Sequence, residues 1–93
     1  MIEQAGDRLK VTGAMVIDTV ADLKKPGDAA IAAGAATVDL AAVTDADSAA
    51  VALLLSWVRI ARERQQPLAI VNPPESIRSL AVLYGVAELL PLG

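Results

Sequence analysis

The sequence predicts an α/β fold in a single domain over residues 1–93, with a mixed β-sheet flanked by helices in the order β-β-α-β-α-β-α. Residues 8–12 alternate polar and apolar side chains, which is typical of a strand with one solvated face. Two further short apolar strands each end in a polar turn, and apolar residues at helical spacing follow each turn. Strands that alternate with helices in this way predict that part of the sheet is parallel.

The first third of the chain predicts a hairpin and an interrupted helix. A short N-terminal strand should turn at residues 6–7 into the strand at 8–12, which forms a hairpin at a sheet edge. From Met15 onward the apolar spacing becomes helical. We expect Pro26-Gly27 to stop or kink this helix and a second helical piece to occupy residues 29–33.

The rest of the chain predicts two strand-helix units. A strand at residues 36–40 precedes a long helix from Ala49 to about Arg64. The continuous apolar run at 67–71 favours a central parallel strand with both faces covered. A last helix should begin at Pro74 or Glu75, where proline and an acidic side chain suit the first turn. Its expected inner stripe consists of Ile77, Leu80, Ala81 and Tyr84.

The turn before the long helix is the candidate site. Asp45, Asp47 and Ser48 have side-chain oxygens that can accept the free N–H groups at a helix start, and either Asp47 or Ser48 is the expected N-cap. The turn at Asn72-Pro73-Pro74 should lie beside this site if both preceding strands are parallel. These side chains suit a solvated turn as well as contacts to a partner, and Asp39 suits hydrogen bonding at a strand end.

The composition excludes several functions. The chain has no Cys and no His, which argues against disulfides, zinc sites and Ser-His or Cys-His nucleophiles. Its net charge is −3 and no basic stripe is present, so nucleic-acid binding is not expected. No apolar run approaches the roughly 20 residues of a membrane span, and no signal peptide is recognisable. We therefore expect a cytoplasmic protein without catalytic residues, metal or cofactor.

Residues 38–50 carry a resemblance to a known family. The chain has Val-Asp-Leu-Ala at 38–41, then Val43, and then Asp-Ser-Ala-Ala at 47–50, where a Leu-rich helix begins. This pattern resembles the STAS domains of sulfate transporters and anti-sigma-factor antagonists. The similarity runs from about Leu9 to the end of the chain. Within the family the sequence is most similar to the STAS subunit of bacterial Mla phospholipid-transport systems, through residues 52–55, 79–85 and 89–91.

The resemblance implies a protein-interaction module. In the anti-sigma-factor antagonists a kinase phosphorylates the second hydroxyl residue of an Asp-Ser-Ser turn, and that position is Ala49 here. Ser48 takes the first hydroxyl position, which faces the transport ATPase in Mla-type relatives. Ala50 replaces the usual glycine.

The expected function is a non-enzymatic STAS subunit that binds the ATPase of an ABC-type phospholipid transporter and reaches the inner membrane only through that partner. The alternative is an anti-sigma-factor antagonist whose partner is an anti-sigma-factor kinase. A small acyl- or nucleotide-binding protein is a weaker alternative, because no Gly-rich phosphate loop is present. The expected partner-binding residues are Asp45, Asp47, Ser48, Ala49 and Ala50, with Asn72, Pro73 and Trp57 at the rim, although Trp57 also suits the core.

Overall fold

The computed structural model describes residues 1–92, and its elements follow the predicted order. Four strands alternate with three α-helices, and a short 3-10 helix at Ala87–Leu89 follows the last of them. The strands are β1 (Ile2–Ala5), β2 (Arg8–Met15), β3 (Thr37–Ala46) and β4 (Ala69–Val71). The helices are α1 (Val20–Ala32), α2 (Ser48–Glu63) and α3 (Glu75–Leu83).

The mixed sheet confirms the predicted fold class. Its strand order is β1-β2-β3-β4; β1 pairs with β2 in the predicted antiparallel hairpin, and β2, β3 and β4 are parallel. Leu9, Val38 and Ile70 are paired neighbours on adjacent strands. All three are fully buried on the face of the sheet that packs against the helices. The alternate residues Arg8 and Lys10 are exposed, so the opposite face of the sheet is open to solvent.

The expectation of a central fourth strand is wrong. β4 has only three residues and pairs with β3 on one side, so it lies at the sheet edge. Of these residues only Ile70 is buried, and its N–H donates to the Pro91 carbonyl at 3.0 Å. The C-terminal segment therefore covers the outer edge of β4, which a continuous apolar run cannot reveal.

The expectation of an interrupted first helix is also wrong. Met15 ends β2, and α1 continues through the exposed Pro26 to Ala32. Gly27 is buried, and a Cβ atom built there would overlap the ring of Trp57. The close approach of α1 to α2 thus stabilises the helix beyond the proline, which costs it one backbone hydrogen bond.

The third strand extends beyond its predicted end at residue 40. It continues to Ala46 because it keeps pairing with β2, through Val43 opposite Gly13 and Ala46 opposite Met15. β4, in contrast, pairs with β3 only as far as Asp39. At about 3.3 Å per residue, the end of β3 lies roughly 20 Å beyond the end of β4.

The inner stripe of α3 is confirmed only in part. Ile77 and Ala81 are fully buried and Leu80 is half-buried, but Tyr84 is 54% exposed. The stripe extends past the edge of the core, where Tyr84 lines a groove beside α2.

Candidate protein-interaction site

Asp47 is the N-cap of α2, which was one of the two predicted alternatives. Its Oδ1 accepts the N–H of Ala49 at 2.8 Å, and its Oδ2 accepts the N–H of Ile17 at 3.0 Å. The Asp47 carboxylate therefore caps the N-terminus of α2 and also binds the loop between β2 and α1 to this helix. Asp47 is half-buried with both oxygens occupied, which gives it a structural role.

Ser48 is exposed and does not cap the helix. Its hydroxyl makes no hydrogen bond within residues 1–92, so it is available to a partner. Asp45 is also exposed, near the end of β3, and Ala49 is half-buried. The expectation for Ala50 is not met, because its side chain is fully buried below the turn and cannot touch a partner in this fold.

Ile17 and Asp18 lie in the loop between β2 and α1 and were not predicted as site residues. Ile17 is 72% exposed, and its backbone is bonded to the Asp47 carboxylate. Its apolar side chain fitted the pattern of a helix, so it was not recognised as a surface residue. Parallel pairing of β2 with β3 is the signal that could have found it, because the loops that follow parallel strands meet at the same edge of the sheet. We call Ile17, Asp45, Ser48 and Ala49 the tip surface.

An apolar groove runs from the tip surface along the boundary between α1 and α2. Its volume is about 460 Å³, and it is lined by Ile17, Val20, Ala21, Lys24, Ala49, Ala52, Leu53 and Ser56. A second groove, of about 330 Å³, lies on the other side of α2 and is lined by Ser48, Val51, Ala52, Leu55, Tyr84 and Val86. Ala52 is exposed between the two grooves. Exposed apolar grooves beside polar side chains are typical of protein-binding surfaces.

The three residues expected at the rim lie elsewhere. Trp57 is fully buried, and its Nε1 donates to Asp28 Oδ1 at 3.0 Å. Asn72 and Pro73 follow β4, roughly 20 Å from the tip surface along β3. The expected contact between the two turns is therefore wrong, because β3 extends far past β4.

Asn72 instead completes a polar cluster around Asp39. The Asp39 carboxylate accepts hydrogen bonds from the N–H of Ala41 at 3.0 Å, the amide of Asn72 at 3.1 Å and the guanidinium of Arg8 at 2.9 Å. These donors, with the Ala41 N–H first, hold the pKa of Asp39 below its ordinary value against the opposing effect of burial. The cluster joins the beginning of β3 to the end of β4, so Asp39 has the hydrogen-bonding role that was expected of it.

No cluster of metal-ligating side chains is present in the part of the chain that the structure describes. Over the same residues, no helix is long and apolar enough to cross a bilayer. The tip surface and its two grooves offer polar and apolar contacts to a protein partner.

Solved structures of similar fold include anti-sigma factor antagonists. The antagonist SpoIIAA in its unphosphorylated form has a TM-score of 0.72 at 18% identity, over 100% of this chain and 86% of that one. An anti-sigma factor antagonist from Mycobacterium paratuberculosis has a TM-score of 0.77 at 20% identity, over 99% and 81%. The Bacillus cell fate determinant SpoIIAA in the phosphorylated form has a TM-score of 0.65 at 18% identity, over 100% and 89%.

At 18% to 20% identity, these similarities show that the chain shares the fold of these proteins. No curated protein sequence matches the chain. The family model described as "Mlab, STAS domain" matches residues 2–91, nearly the whole sequence. The chain therefore belongs to the STAS domain family, as its Val-Asp-Leu-Ala strand and its Asp-Ser-Ala-Ala helix start predict.

Proposed function

We propose that this protein is a non-enzymatic STAS subunit that binds and regulates the ATPase of an ABC-type phospholipid transporter. It contacts the ATPase through the tip surface and the groove between α1 and α2. It acts by stabilising one conformation of the ATPase, which requires that it bind this conformation more tightly than the others. The protein is cytoplasmic and reaches the inner membrane through this partner alone.

The observation that carries the proposal is the arrangement of Ser48 and Ile17. Ser48 presents a hydroxyl without a partner among residues 1–92, and Ile17 presents an exposed aliphatic side chain that shares a groove with the neighbouring Ala49. Because the Asp47 carboxylate accepts the N–H groups of both Ile17 and Ala49, the backbone of the loop before α1 is held against the start of α2. A rigid pair of one polar and one apolar group next to an apolar groove favours a specific protein contact.

Ala49 favours the transport function over a phosphorylation switch. The resemblance to the anti-sigma-factor antagonists places the phosphorylated hydroxyl at this position, and alanine has no oxygen to accept a phosphate. The match to the family model described as "Mlab, STAS domain" supports the same choice.

The second candidate function is that of an anti-sigma-factor antagonist. It is supported by the fold of the structural neighbours, one of which exists in phosphorylated and unphosphorylated forms. The exposed hydroxyl of Ser48 would then be the modified group.

The proposal is tested by co-purification of the chain with its cognate transport ATPase. We expect Ser48→Lys to weaken the complex by at least about tenfold and to abolish regulation of ATP hydrolysis, because a long cation replaces a small hydroxyl in the contact. Ser76→Lys, the same change at an exposed site in the first turn of α3, is the matched control and should bind normally. Equal binding by wild type and both variants would contradict the proposed docking site, and failure of the wild-type chain to bind the ATPase would contradict the proposed partner.

The second candidate is separated from the first by incubation with an anti-sigma-factor kinase and ATP. A stable complex and one phosphate on Ser48, located by mass spectrometry and absent from Ser48→Ala, would favour the antagonist. An unmodified chain that binds only the transport ATPase would favour the transporter subunit.

A further inference from the structure

A continuous stripe lies on the outer side of α2, and its central residue, Leu55, is half-buried against the edge of the core. Its members are alternately four and three residues apart, a spacing that keeps them on one side of a helix. The structure leaves each of them exposed or partly exposed. Tyr84 and Leu89 lie along the same flank of the stripe, Tyr84 beside Ser48 and Leu89 beside Arg62. The stripe consists of Ser48, Ala52, Leu55, Arg59 and Arg62.

The charges along this stripe are separated by sign. Asp45 lies near the end of β3, three residues before Ser48 in the chain, and Arg59 and Arg62 form the other end of the stripe. None of these three side chains forms an ion pair within residues 1–92. The middle of the stripe is uncharged and apolar, with Ala52 and Leu55.

This pattern is complementary to itself. A twofold axis at Leu55 places Leu55 against its own copy and Ser48 opposite Arg62, because each lies seven residues from Leu55. The same axis brings Ala52 close to Arg59, since they lie three and four residues from Leu55, and it brings Asp45 of each copy towards the basic end of the other α2. Small side chains at Ser48 and Ala52 allow the two helices to approach closely, and antiparallel helix pairs with this spacing are a stable form of packing.

We propose that two copies of this chain associate through antiparallel contact of their α2 stripes, with Asp45 of each copy paired with Arg62 of the other. Tyr84 and Leu89, which are 54% and 50% exposed, lie beside the stripe and become covered at the edges of the contact. This self-association covers Asp45 and Ser48, so a chain in the dimer cannot present the tip surface to another protein. The dimer must therefore dissociate before a partner can bind the tip surface. It goes beyond the proposed function and does not depend on the identity of the partner.

The test is sedimentation velocity of the full-length purified chain over a wide concentration range. We expect the wild type to shift from monomer to dimer with rising concentration. Arg62→Glu and Asp45→Arg should each weaken the dimer by at least about tenfold, because each brings like charges together twice in the symmetric contact. The double variant with both changes in one chain should recover the dimer, and so should an equimolar mixture of the two single variants.

Lys10→Glu, the same charge reversal as Arg62→Glu but on the open face of the sheet, is the matched control and should dimerise like the wild type. Circular dichroism confirms that each variant is folded. A wild-type chain that stays monomeric at the highest concentration overturns the proposal. A dimer that neither Arg62→Glu nor Asp45→Arg weakens also overturns it. So does a double variant that dimerises no better than the two single variants.

Discussion

The buried carboxylate of Asp39 on β3 connects this strand to β2 and to the turn after β4. It is 8% exposed, and its three hydrogen-bond donors come from β2, from β3 and from the turn after β4. Arg8 is half exposed, so its ion pair with Asp39 contributes less than the two amide donors. The carboxylate thus aligns the strands near the beginning of β3, whereas the tip surface lies where β3 ends.

The lowered pKa of Asp39 predicts a pH-dependent stability. Because the folded-state pKa lies below the unfolded value, the stabilisation is complete above about pH 4 and is lost as the pH falls through the folded-state pKa. We expect Asp39→Asn to lower the free energy of unfolding by about 2 kcal/mol at neutral pH. Urea denaturation of both proteins should show this difference shrinking toward zero as the pH falls below about 4.

Asp7→Asn, at the exposed turn of the hairpin, is the control for the loss of one carboxylate. A difference between wild type and Asp39→Asn that stays constant over the whole pH range would contradict this account of Asp39.

At the scale of the element, α1 and α2 are stabilised by their mutual contact. Trp57 is the largest fully buried side chain, and it lies against the backbone of Gly27 while its Nε1 is held by Asp28. The ring is fixed by this hydrogen bond, so it cannot move aside to admit a side chain at position 27.

Two adjacent substitutions in α1 should therefore have opposite effects. Gly27→Ala should lower the free energy of unfolding by about 2 kcal/mol, because the clash with Trp57 outweighs the better helix propensity of alanine. Pro26→Ala should raise it by about 1 kcal/mol, since it restores a backbone donor at an exposed position at the cost of a more flexible unfolded chain. Thermal denaturation should show melting temperatures that differ by about 10 °C or more between the two variants. Equal effects, or a tolerated alanine at position 27, would contradict the close helix contact.

The elements differ in how far the sequence reveals them. The hairpin and α2 follow from local periodicity and capping residues, and both were predicted within a residue or two at most boundaries. The continuity of α1 was missed because Pro26-Gly27 is a local helix breaker, whereas the compensating contact with Trp57 is thirty residues away. The edge position of β4 was missed for a similar reason, since its cover comes from the C-terminal segment.

At the scale of the whole molecule, the site is formed by two loops that meet where the parallel strands β2 and β3 end. The half that lies beside α2 was predicted, because Asp47 and Ser48 are recognisable at a helix start. The half that contains Ile17 required knowledge of the strand pairing. The expected third contributor, Asn72-Pro73, lies elsewhere because β3 continues beyond β4, a difference in strand length that periodicity does not predict.

The central claim, that a protein partner docks on the tip surface, is tested most directly by the affinity of Ile17→Ser for the transport ATPase. Val82→Ser is the matched control, because Val82 on α3 is 70% exposed and Ile17 is 72% exposed. Isothermal titration should show about tenfold or greater loss of affinity for Ile17→Ser and a change within about twofold for Val82→Ser. Unchanged affinity of Ile17→Ser, or an equal loss in both folded variants, would contradict the account.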